Sequence, residues 1–235
     1  SQFKNIMYRK GAQDAKRAKI FAKIAREITV AAKIGGNDAT ANPRLRAALA
    51  SAREQNMPKD NVERALAKAS GNSDDTMYEE VRYEGYGPGG VAIIVETLTD
   101  NKNRTTPEIR STFSKFGGNL GETGSVSFLF TRLGSLVYPS FVANFDKLFE
   151  YAIEVGADNL ENLGEYAHIT CNATSFAAIR EAFVKKFGDP VESGLIWEPD
   201  TYTPCPAESR STIVKMIDIL EDNDDVQKTF HNMEE

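Results

Sequence analysis

The sequence predicts an α+β protein: an N-terminal three-helix bundle and two small α+β (ferredoxin-like) domains, the last inserted into the middle one. Three observations carry this. Apolar residues recur at helical spacing from Ala15 to Ser70, then give way to strand-like runs after "GNSDD" at residues 71–75. Residues 134–204 repeat a strand–helix alternation of their own. The stretch before them holds too few elements to close a sheet, and the tail, read as helix plus strand, can complete it. The domains are therefore residues 1–72; residues 73–133 with 205–235; and residues 134–204.

From Ala15 to Lys33, Ile20, Phe21, Ile24, Ile28 and Ala31 form one helical face, and Gly35 and Gly36 supply the stop. Lys16, Lys19, Lys23, Arg26 and Lys33 fall on a separate stripe. Asn42-Pro43 opens a second helix, with Leu45, Leu49 and Ala52 inward, because Asn caps and Pro suits the first helical position. "NMPKDN" starts a third, with Val62, Leu66 and Ala69 inward. Helices this short are stable only when packed.

"YEEVRYEGYG" and "VAIIVETL" read as strands joined through "PGG" as a hairpin. "TDNKNRT" reads as a polar loop before a helix capped by Thr106, opened by Pro107, and facing inward through Ile109, Phe113 and Phe116. "SVSFLF" reads as a third strand. The inserted unit follows as "SLVYP" strand, "FDKLFEYAIEVG" helix, "YAHITCN" strand, "FAAIREAFVKKFG" helix and "ESGLIWEP" strand. The tail "ESRSTIVKMIDILEDNDDVQKTF" closes with a helix and a strand.

At 235 residues, 41% hydrophobic and 26% charged, the chain has the composition of a folded, water-soluble protein. Its charge is divided. Residues 1–70 hold 15 Lys/Arg and 6 Asp/Glu, net +9; residues 71–235 hold 13 and 28, net −15; the sum is −6. This is the pattern of a polyanion-binding end on an acidic body, and screening over roughly 8 Å lets the basic end act locally. Cys171 and Cys205 lack CxxC spacing, which excludes a disulfide framework or zinc site and leaves buried, reduced thiols. No apolar run approaches the roughly 20 residues of a membrane span, and no secretory leader is visible. The expected location is cytoplasmic, or the mitochondrial matrix if a transit peptide has been removed upstream of Ser1.

No catalytic constellation emerges. His168 lies in an apolar strand and His231 in the tail, neither in HExxH or nucleophile-elbow context, and Glu79, Glu80 and Glu84 read as solvated strand carboxylates. A non-enzymatic protein without cofactor or metal is expected. "GYGPGGV" fits neither a Walker loop nor GxGxxG, and the glycines of "FGGNLGETGS" serve as helix terminators. Lys102 and Arg104 are placed just before a helix N-terminus, where an anion is favoured, although a solvated loop explains them equally. The basic stripe continues through Arg44, Arg46, Arg53, Arg64 and Lys68 with few acidic partners at i, i+4 spacing. Unpaired like charges repel, which points to compensation by a polyanion. The expected function on these residues is polyanion binding, nucleic acid included; the alternative is a protein-interaction adaptor using an acidic cleft between the α+β domains.

The stretches "NIMYRKGAQDAKRAK", "NMPKDNVERALAKASG", "YEGYGPGGVAIIVETLTDNKNRT", "FSKFGGNLGETGSVSFLF" and "LEDNDDVQKTF" resemble the YebC/PmpR family, relatives of the mitochondrial translational activator of cytochrome oxidase, over essentially the whole chain. The resemblance implies three domains around a central cleft, with either DNA-binding transcriptional regulation or a ribosome-associated role in translation. The implied partners are DNA or ribosomal RNA and the ribosome, with no membrane and a monomeric state. The family's "HRKGAQDAKRGK" corresponds to residues 8–19, with Tyr8 for the histidine and Ala18 for the glycine, and Phe3 stands in for an upstream tryptophan. Tyr8 can stack on a base where histidine would hydrogen bond. The candidate nucleic-acid-binding set is Phe3, Lys4, Tyr8, Arg9, Lys10, Gln13, Lys16, Arg17, Lys19, Lys23, Lys102 and Arg104.

Overall fold

The computed structural model describes residues 16–71 and 76–234. The elements are α1 (Arg17–Gly35), α2 (Pro43–Glu54), α3 (Lys59–Ser70), β1 (Glu79–Tyr86), β2 (Ala92–Thr99), α4 (Lys102–Lys115), β3 (Asn119–Leu120), β4 (Phe130–Pro139), α5 (Phe145–Val155), β5 (Asn159–Asn162), β6 (Tyr166–Asn172), α6 (Phe176–Phe187), β7 (Glu192–Pro199), α7 (Ala207–Asp222) and β8 (Val226–His231). The described residues divide into two compact units: 16–23 with 76–131 and 197–234, and 24–71 with 132–196.

The first unit is built on a sheet of order β3-β1-β2-β8. β1 and β8 both pair antiparallel with β2, Glu84 opposite Ile94 and Phe230 opposite Ile94. The tail strand thus completes the sheet begun by the hairpin. Alternation gives one face Tyr83, Ile93 and Val95, which pack with Ile109 and Phe113 of α4 and Ile213, Met216, Ile217 and Leu220 of α7. Backbones approach so closely between β1 and β3 that only glycine fits. A Cβ on Gly85 would lie 2.4 Å from the Asn119 carbonyl and one on Gly118 2.3 Å from the Tyr86 carbonyl.

Two expectations fail in this unit. α4 begins at Lys102, not Pro107, because Asn101 caps it, its side chain accepting from the Arg104 N–H at 3.2 Å. Pro107 lies inside the helix, and the lost i→i−4 bond falls where both Asn103 and Pro107 are exposed. "SVSFLF" forms a 3₁₀ turn at Ser127–Leu129 rather than a strand of this sheet, and Phe130 starts β4 of the other one.

The second unit carries a sheet of order β5-β6-β4-β7. Its βαββαβ chain order is the ferredoxin-like one. Leu136 opposes Ile169 in the β4–β6 ladder, and Leu160 meets the same residue from β5. Leu148 and Ala152 of α5 and Phe176, Ile179 and Phe183 of α6 close over that face. The rings of Tyr138 and Tyr151 pack 5.8 and 5.1 Å from Phe183, centroid to centroid. β5 was not expected: only Leu160 of its four residues is buried, too little for an alternating signal.

The helical residues of this unit converge on Ile28, Ala31, Leu45, Ala48, Ala52 and Ala65, all buried. Val62, Leu66 and Ala69, expected inside, are only half-buried, and Ala65 takes the inner position. Asn42 does more than cap α2. Its Oδ1 accepts from the Leu45 N–H at 3.1 Å, while its Nδ2 donates to the carbonyls of Ala31 (2.8 Å) and Gly36 (2.9 Å) at the end of α1. One buried amide therefore caps the start of α2 and ties it to carbonyls in and just after the last turn of α1.

Candidate nucleic-acid interface

Of the candidate binding set, Phe3, Lys4, Tyr8, Arg9, Lys10 and Gln13 lie outside the described residues. Of the others, Lys16 lies just before α1, Arg17, Lys19 and Lys23 sit on it, and Lys102 and Arg104 sit on α4. At the start of α1, the Arg17 guanidinium lies 5.3 Å from the centre of the Phe21 ring. Lys19 Nζ donates to the Asp222 carbonyl at 2.8 Å and sits 2.8 Å from its Oδ1. Lys23 Nζ donates to the Glu221 carbonyl, and Gln227 Nε2 donates to the Lys23 carbonyl at 3.0 Å.

Residues 221 and 222 end α7, whose last carbonyls lack helical donors and carry the negative end of the dipole. Two lysines of α1 supply donors and charge. Burial lowers the Lys23 amine to about 8, against the opposing pull of Glu221. Lys16 makes no hydrogen bond or ion pair with another described residue.

Lys102 and Arg104 occupy the first turn of α4 rather than a loop before it. Arg104 Nη2 contacts Asp100 at 2.9 Å and both oxygens of buried Asp225 at 2.9 Å, and Thr105 Oγ1 donates to Asp225 at 2.7 Å. Asp100 and then Asp225 hold the guanidinium above its ordinary range. Lys102 is exposed and forms no such pair with a described residue. The acidic segment 221–225 thus gathers three predicted binding cations: Lys23 at Glu221, Lys19 at Asp222 and Arg104 at Asp225.

The unpaired basic bundle inferred from i, i+4 spacing is corrected at three arginines. Arg44 pairs with Glu27 through two contacts at 2.7 and 3.2 Å, Arg46 with Glu181 at 3.1 Å, and Arg53 with Asp189 at 3.4 Å. Two of these acids lie more than 130 residues away in sequence, beyond any local count. Lys68 stays exposed without a hydrogen bond or ion pair to a described residue.

Glu84 is also corrected. Its side chain is fully buried, accepting from the N–H groups of Gly124 (2.8 Å), Val126 (3.2 Å) and Ser127 (2.6 Å) and from Arg82 Nε (3.1 Å). Burial alone would raise its pKa, but these donors outweigh it and hold the carboxyl below its ordinary value. This carboxylate draws residues 124–127 into a turn, which is why "SVSFLF" leaves the sheet.

His168 is a neutral core imidazole, Nε2 2.7 Å from Ser135 Oγ, lowered to about 4 mainly by burial. Cys171 is buried and Cys205 half-buried, both free. Sequence reading missed the Glu54–Arg180–Ser193 group. Ser193 donates to Glu54 from Oγ (2.5 Å) and N (3.1 Å), and Arg180 Nη2 stands 3.7 Å from Glu54.

Three comparisons bear on this arrangement. A family model described as the TACO1/YebC protein N-terminal domain matches residues 1–72. A second, described as the TACO1/YebC second and third domain and bearing a transcription-regulator label, matches residues 78–233. The crystal structure of a conserved hypothetical protein, Aq1575, from Aquifex aeolicus is 41% identical, covers 94% of this chain and 91% of its own, and superposes with a TM-score of 0.85. With both models matching and the fold shared at that identity, the chain belongs to the TACO1/YebC family.

Proposed function

We propose that this protein is a non-enzymatic, nucleic-acid-binding regulator of gene expression. The observation that carries the reading is the start of α1. Lys16 and Arg17 sit where the first turn holds no acidic residue, so side-chain charge adds to the positive end of the helix dipole, while Lys19 beside them is held by Asp222. Such an arrangement is unfavourable for the helix alone and favourable against phosphate. The transcription-regulator label of the matching family model supports the same reading.

The finer choice is between duplex DNA and ribosomal RNA. Lys and Arg dominate α1, and phosphate contacts position a protein without specifying sequence. Folded RNA adds 2′-hydroxyls and unstacked bases, which Phe3 and Tyr8 can engage by stacking. Competition between a structured ribosomal RNA fragment and random-sequence duplex DNA should favour the RNA by about tenfold, or roughly 1.4 kcal/mol, at physiological salt. Equal affinities would reduce the reading to generic polyanion binding. A tight, sequence-dependent promoter complex would establish the transcriptional form instead. No binding to either would overturn the reading.

A further inference from the structure

The inner side of α5 is accounted for: Leu148 and Ala152 are buried in the core of the second sheet. Its outer side carries apolar residues the core does not need. Phe149 is 45% exposed and Ile153 62%, and Phe141, four residues before Phe145, is 89% exposed. Phe145 and Phe149 stack at 6.2 Å with 20° between their planes. At about 100° per residue, Phe145, Phe149 and Ile153 form one stripe, and Asp146, Glu150 and Glu154, all exposed, form a parallel stripe beside it. Phe145 also packs against the core, whereas Phe149 and Ile153 are left in water, and this exposed part of the stripe marks an interaction surface.

We propose that this face docks a basic amphipathic polypeptide helix, with apolar residues on the Phe149–Ile153 stripe and Lys or Arg on the carboxylates. Charge selects this occupant. Nucleic acid and anionic bilayers are repelled by three aligned carboxylates. A second copy meeting the patch by two-fold symmetry would set carboxylate against carboxylate. A helix with adjacent apolar and basic stripes satisfies both ridges, with anchors at i, i+4 and i+8. None of these residues belongs to the candidate nucleic-acid set, so the proposal does not depend on that reading.

The test is fluorescence anisotropy on the full chain with a labelled helical peptide bearing Leu on one stripe and Lys on the next; a peptide with Glu for Lys is the control. The parent should bind the Lys peptide and not the Glu peptide. Phe149→Ser with Ile153→Ser, and separately Glu150→Lys with Glu154→Lys, should each weaken binding at least tenfold while far-UV circular dichroism stays unchanged. The charge-reversal pair keeps every apolar side chain, so its loss of binding cannot come from a damaged core. Failure of the parent to bind, or binding of the Lys peptide by either variant as tightly as by the parent, overturns the proposal. So does a concentration-dependent dimer in sedimentation velocity that Phe149→Ser dissolves, because the occupant would then be a second copy.

Discussion

Lys19 Nζ and Asp222 are joined twice, through the Asp222 carbonyl and through Oδ1, each at 2.8 Å. The hydrogen bond from Lys19 holds the Asp222 carboxyl below its ordinary value. The basic stripe at the start of α1 therefore serves two ends: Lys19 and Lys23 hold the end of α7, while Lys16 makes no such bond to a described residue.

The buried member of this clasp has a pH signature. Lys23 is lowered from 10.5 to about 8 in the folded chain. Between those values the unfolded chain still holds a proton that the folded chain has released, so stability rises with pH across that window. The gain is up to about 3 kcal/mol. Urea denaturation at pH 7.5 and pH 10.5 should show this rise in the parent and lose most of it in Lys23→Met. Parallel pH dependence in the two proteins would mean that the Lys23 amine is not buried against α7.

Glu54 gives the opposite slope. Burial raises its carboxyl to about 7 despite Ser193 and Arg180. Its contribution to stability is fully present below its unfolded value of 4.5 and is lost as pH rises through 7. Glu54→Gln should flatten the decline between pH 4.5 and 7 by up to about 3 kcal/mol. The slope is the readout, since the absolute stability of that variant also reflects the altered environment of Arg180.

Glu84 should be the most costly carboxylate to remove in the first unit. Glu84→Ala strands three backbone donors and leaves Arg82 without its buried partner, a loss of about 3 to 5 kcal/mol in equilibrium unfolding. Because its folded pKa lies below the unfolded one, the stabilisation is present above the ordinary carboxylate value and disappears as pH falls through the folded value. A variant losing less than about 1 kcal/mol would place this carboxylate in water.

Periodicity and capping revealed most of the fold because those signals are local. Asn42-Pro43 opens α2, and "YAHITCN" and "ESGLIWEP" coincide with β6 and β7. The errors arise where a distant group decides. Glu84 reaches 40 residues along the chain to turn Gly124, and Glu181 and Asp189 neutralise arginines of α2. The start of α4 is different, since two local caps compete and Asn101 prevails over Thr106. For the candidate site, sequence located the cations on α1 but could not divide them. Whether a lysine is free or spent depends on where α7 ends, and that is a tertiary fact.

That division predicts how salt should act on nucleic-acid binding. Each phosphate contact releases counterions and steepens the fall of log K with log salt by about 0.9 on duplex DNA or 0.7 on a single strand. Arg9→Ala, Lys10→Ala and Lys16→Ala combined should lower the slope by about 2 to 3 units if all three meet phosphate. Lys19→Ala with Lys23→Ala should change it by less than about 1 unit, because these amines already serve Asp222 and the Glu221 carbonyl. That second variant should instead lose thermal stability, since it leaves the last carbonyls of α7 without donors. Affinity titrations from 50 to about 300 mM salt, with melting curves for each variant, separate the two groups. Equal slope changes would mean that Lys19 and Lys23 leave α7 when nucleic acid binds, making the clasp part of the interface.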